Sequence, residues 1–68
     1  MQKLHTIRDA EGNLIDAGVH PFDTLTALRQ HGLLPRETDP EAFEAALRNM
    51  GRGSTLHLKT EVFVRRVK

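Results

Sequence analysis

From Ser54 to Lys68 apolar and polar residues alternate: Leu56, Leu58, Val62 and Val64 share one parity, and His57, Lys59, Glu61, Phe63 and Arg65 share the other. A period of two belongs to a β-strand with one buried face, so this stretch is expected to be the central β element. Fifteen residues is long for one strand, and a tight reversal at Lys59-Thr60-Glu61 would divide it into two short ones.

The rest of the chain carries weaker versions of the same signals. Gln2 to Ile7 reads as a short strand anchored by Leu4 and Ile7, and Leu14 to Val19 as a second, with Ile15, Ala17 and Val19 on one parity. Asp9-Ala10-Glu11-Gly12-Asn13 between them ends on a turn signal, so the two strands form a hairpin. His20-Pro21 breaks the second strand and opens a helix that runs to about His31. Phe22, Leu25 and Leu28 are its expected core side, His20 substitutes for an N-cap, and Gly32 stops it. Leu33 and Leu34 fold back onto that helix, and Pro35 to Thr38 is a short linker.

A second helix is marked at both ends, by Asp39 as N-cap, Pro40 at the first position and Gly51 after the last turn. Phe43, Ala46, Leu47 and Met50 follow the helical i, i+3, i+4, i+7 spacing, and Glu44 stands four residues before Arg48 on the outside. The order is ββααβ. It predicts one α+β domain over residues 1–68, with two helices on one face of an antiparallel sheet.

Composition narrows the functional classes. The chain has 68 residues, close to the lower size at which one hydrophobic core holds a fold without a staple, so self-association is an expected source of stability. It has no cysteine, which removes disulfides, thiolate metal sites and a cysteine nucleophile. No apolar run has the length of a signal-peptide core or a membrane span, so the expectation is a soluble, cytoplasmic protein without a membrane partner.

Catalysis finds no support in the spacings. Ser54 is the single serine, and His57 three residues along a strand points to the opposite face. The four histidines show no short ligand spacing and read as surface residues, although His5 and His57 would meet if their strands were neighbours. Asp9 and Glu11 lie in a turn, and Asp39, Glu41 and Glu44 crowd a helix start, where the dipole favours them. Gly51-Arg52-Gly53-Ser54-Thr55 looks like an anion-holding loop but leaves a helix C-terminus, which carries the wrong sign. No enzyme, cofactor, metal or small-molecule substrate is expected.

Charge changes the picture. Residues 1–47 hold four basic and eight acidic side chains, a balance of −4, whereas residues 48–68 hold six basic ones against Glu61, a balance of +5. The expected contact surface is therefore Arg52, His57, Lys59, Phe63, Arg65, Arg66 and Lys68. The favoured function is a non-enzymatic binding module, a small regulatory or adaptor protein. Its terminal strand, with Phe63 and Val67 outward, joins a partner's sheet or a second copy in a homodimer. The alternative is nucleic-acid binding, with Phe63 stacking a base among basic residues; Glu61 in mid-strand and the lack of tyrosine and tryptophan count against it.

Overall fold

The computed structural model describes residues 2–68; Met1, the first residue of the span read as one domain, lies outside it. Among the described residues six elements follow one another: β1 (His5–Asp9), β2 (Leu14–Gly18), α1 (Pro21–Gln30), α2 (Pro40–Arg48), β3 (Thr55–His57) and β4 (Val62–Arg66). The fold is α+β, and the strands form one antiparallel sheet in the order β2-β1-β4-β3.

The long alternating stretch is thus a hairpin rather than one strand, and the chain runs ββααββ. Its reversal is tight. Glu61 donates its N–H to Leu58 O at 3.0 Å, and Leu58 donates to Val62 O at 3.0 Å. Glu61 takes a left-handed conformation at φ 63°, which lets the chain double back within four residues. The pairing sets Leu56 against Val64 and His57 against Phe63, residues of like parity, so the apolar face survives the reversal.

The inner sheet face is built from His5 and Ile7 of β1 and Val62 and Val64 of β4. Leu25, Ala27 and Leu28 of α1 and Phe43 and Leu47 of α2 complete the core. In β1 the strand begins at His5 rather than Gln2, and His5, not Leu4, takes the buried place beside Ile7. Only this shift satisfies the pairing of Ile7 with Val64 on one side and Asp16 on the other.

Three further expectations change for packing reasons. Phe22 is 58% exposed, because α1 turns Thr24, Leu25, Ala27 and Leu28 toward the sheet instead. Ala46 is exposed, because α2 reaches the core through Phe43 and Leu47 alone. Val19 lies just past β2 and is only half-buried, and Gly18 occupies the buried place at the strand end. A Cβ at Gly18 would overlap the backbone and hydroxyl of Thr24, so the contact between β2 and α1 admits no side chain there.

The helix ends behave as the sequence implies. His20 caps α1 together with Asp23, and Gly32 at φ 68° ends it. Asp39 accepts from Glu41 N–H at 3.2 Å, and Arg48 meets Glu44 at 3.2 Å. Among the described residues no helix is long and apolar enough to cross a membrane.

Candidate functional site: an open sheet face and a bare edge

Both helices lie on one side of the sheet, which leaves the other face uncovered. Two cross-strand rows stand on it, Ala17–Thr6–Arg65–Thr55 and Leu14–Arg8–Phe63–His57. Neither row contains a carboxylate. His57 and Phe63 are paired across β3 and β4 with ring centroids 4.5 Å apart and planes inclined by 45°. The pair is one of the closely approaching, non-hydrogen-bonded kind, because the ladder bonds on either side run through Leu58 and Leu56.

Next to these rings lies a shallow depression of about 540 Å³ lined by Thr6, Arg8, Arg52, Arg65, Arg66 and Val67. Its arginines are not equivalent. Arg8 donates through Nη1 to Gly12 O at 2.9 Å, and Arg66 through Nη1 to Met50 O at 2.8 Å. The two ion pairs among the described residues, His31–Asp16 and Arg48–Glu44, engage neither Arg52 nor Arg65. Thr6 Oγ1 is buried at the floor and has no hydrogen-bond partner.

Sequence reasoning grouped seven residues, and the fold distributes them. His57, Phe63 and Arg65 share the open face, with Arg52 at its border. Lys59 sits in the β3–β4 turn, at the edge of the sheet, and Lys68 follows the last strand. Arg66 has the opposite parity to Arg65. Its side chain is half-buried and fastens the end of α2 to the sheet, as does His5, whose Nε2 donates to Leu47 O at 3.2 Å. Two carbonyls at a helix C-terminus thus find partners on β1 and β4.

His5 and His57 do not meet, because β4 lies between their strands. His5 is wholly buried rather than a surface histidine. Its carbonyl partner can only accept, so Nε2 carries the proton and Nδ1 is left without a partner. Burial lowers its pKa from the ordinary value of 6.5, the bond to Leu47 O opposes this, and the charge of Arg66 adds to the lowering. Asp16 beside His31 and Asp9 in the first turn are held below the usual carboxylate range. The largest cause is a backbone N–H donated by Ala17 and by Asn13 respectively.

Glu61 does not interrupt the open face, because it lies in the turn. That position follows from the reversal, which the sequence leaves as one of two possibilities.

A second feature escaped the sequence reading. β3 is an edge strand, and β4 is not: β1 and β3 occupy both of its sides, so the terminal strand has no free edge to offer. The ladder bonds of Ser54 and Leu58 point to β4, which turns the backbone groups of Thr55 and His57 outward to the open edge. Alongside β3, on the helix side, runs an apolar groove of about 730 Å³ between Leu56 and Leu58 of the hairpin, Phe43 and Ala46 of α2, and Pro35. Arg36, Glu37 and Lys59 stand on its rim. Thr60 Oγ1 donates to Leu33 O and so ties the hairpin turn to the linker that walls the groove. α2 packs against α1 and is tied at its C-terminal end to the start of β1 by His5 and to the end of β4 by Arg66, while its Phe43 and Ala46 face the groove beside β3.

Among the described residues no three histidine, aspartate or glutamate side chains converge as a metal site. Ser54 Oγ donates to Gly51 O at 2.6 Å and is a turn residue. No family model matches the chain, and neither a curated protein nor a solved structure matches it.

Proposed function

We propose that this chain is a non-enzymatic binding module that receives an extended segment of a partner protein along the edge of β3. The observation that carries the reading is the bare edge of β3 beside the apolar groove. An added strand takes backbone hydrogen bonds from Thr55 and His57, and its alternate side chains drop between Leu56, Leu58 and Phe43. Main-chain bonds supply affinity and the groove supplies selectivity.

The groove's rim sets the preferred chemistry. Arg36 and Lys59 outnumber Glu37 there, and Arg52 lies just before β3, so an alternating apolar segment with acidic flanks fits best. A second copy fits worse. Antiparallel pairing of two β3 strands about Leu56 would bring Lys59 of one copy beside Arg52 and Gly53 of the other, a like-charge juxtaposition.

Peptides selected from a random display library against the protein are expected to share apolar residues at alternate positions with acidic flanks. A synthetic peptide of that consensus should shift the amide resonances of Thr55 and His57, and Thr55→Pro, which removes an edge-facing N–H, should abolish its binding while the fold persists. Selected peptides that bind Thr55→Pro unchanged would overturn the reading. Sedimentation showing a concentrated dimer that Thr55→Pro dissolves would overturn the partner assignment in favour of a second copy.

A further inference from the structure

The open face of the sheet is a separate surface from the β3 groove. We propose that it binds single-stranded nucleic acid, with phosphates held by Arg8, Arg52 and Arg65 around the Thr6 depression and a base stacked on Phe63. Three observations converge on that chemistry.

The first is sign. The two outward rows carry Arg8, Arg65 and His57 and no acid, and Arg52 adds a further cation at the border. The acidic side chains of the helix side, Asp23, Glu37, Asp39, Glu41 and Glu44, lie in or beside α1 and α2. Arg29, Arg36 and Arg48 stand among these five acids, which leaves the helix side net acidic, whereas the open face is wholly basic and so orients a polyanion toward the sheet.

The second is availability. Arg52 and Arg65 have no carboxylate partner, and Thr6 Oγ1 lacks a hydrogen-bond partner at the floor they surround. Phosphate oxygens accept from guanidinium forks and hydroxyls together, and the depression of about 540 Å³ leaves room for such a group.

The third is the ring. Phe63 has Arg8 as its neighbour on β1 and His57 on β3, so a flat apolar surface lies within one strand's width of a phosphate-binding cation. A base reaches such a ring only when unstacked from its own strand, which selects single strands over a duplex. One ring and few cations imply binding that weakens steeply with salt.

The test uses the whole chain and fluorescence anisotropy with two probes, an oligothymidylate of about 12 nucleotides and an inorganic polyphosphate of similar charge. Both probes should bind at about 50 mM salt, and affinity should fall by at least about tenfold at about 200 mM. The double variant Arg52→Gln/Arg65→Gln should weaken both probes about tenfold or more and reduce the salt slope. Phe63→Leu should weaken the oligonucleotide at least about fivefold and leave polyphosphate unchanged. Thermal melting confirms that each variant folds, and Arg29→Gln, an exposed cation of α1 on the helix side, serves as the control that leaves both probes unaffected.

Absence of oligonucleotide binding at low salt would overturn the proposal, as would binding indifferent to the arginine pair. Equal loss of both probes, or of neither, on Phe63→Leu would remove the nucleic acid and leave a phosphate site alone. Duplex bound as tightly as single strand would overturn the stacking. Peptide binding at β3 is read separately by Thr55→Pro, and Arg52→Gln touches only its preference for acidic flanks, so the two proposals fail independently.

Discussion

His5 shows how one side chain links sequence, packing and response to pH. It stands on the inner face where Ile7, Val62 and Val64 are its neighbours in kind, and it satisfies a carbonyl at the end of α2. The folded chain resists protonating it, since its pKa is lowered by burial. The unfolded chain takes up that proton below about pH 6.5, so the stabilisation is fully present above that pH. It declines as pH falls toward the lowered folded value. Asp9 and Asp16, also lowered, act in a more acid window below about pH 3.8 and do not obscure it. Urea midpoints measured between about pH 7 and pH 5 should therefore fall for the native chain, and His5→Phe should flatten that segment of the profile. An unchanged slope in His5→Phe would show that the acid response lies elsewhere. Sequence reasoning put His5 on the surface because histidine in a short strand carries no parity mark of its own. Register with β4 is what turned it inward.

The β3–β4 hairpin is the element on which both proposed binding surfaces depend. Its turn places Glu61 in a left-handed conformation that costs a residue with a Cβ roughly 1 kcal/mol. Glu61→Gly should relieve that and raise the denaturation midpoint by the equivalent of about 0.5 to 1 kcal/mol, with the β3–β4 register unchanged. A loss of stability would mean that Glu61 makes compensating contacts. The same turn takes the one acidic residue of the terminal segment off the open face. It also makes β3 an edge of only three residues, short enough to limit uncontrolled pairing yet bare enough to accept a partner. The alternation of Leu56, Leu58, Val62 and Val64 is legible in the sequence, and so are the caps of α1 and α2. Which of the two possible strand arrangements forms is not, because both keep the same residues inward.

For the whole molecule, stability rests on one core, which among the described residues has eight buried apolar side chains. A domain of this size has about 3 to 10 kcal/mol in hand, and Leu28→Ala or Leu47→Ala removes about 2 to 5 of it. Either variant is expected to be largely unfolded by near-UV or one-dimensional NMR criteria at physiological temperature; a cooperative transition close to that of the native chain would place the core elsewhere. Local chemistry alone determined the helix limits, the first hairpin, the inward parity of the last fifteen residues and the division of charge along the chain, because each depends on neighbours within a few positions. Tertiary structure decided what those features face. Strand order put β4 between β1 and β3 and moved the free edge to β3, and cross-strand register buried His5 and assigned Arg65 and Arg66 to opposite faces. The packing of α2 against α1 set Phe43 and Ala46 along one wall of the groove beside β3. These are relations between residues as far apart in the chain as His5 and Arg66, which hydrophobic periodicity does not encode, since a period specifies a face and not the partner that covers it.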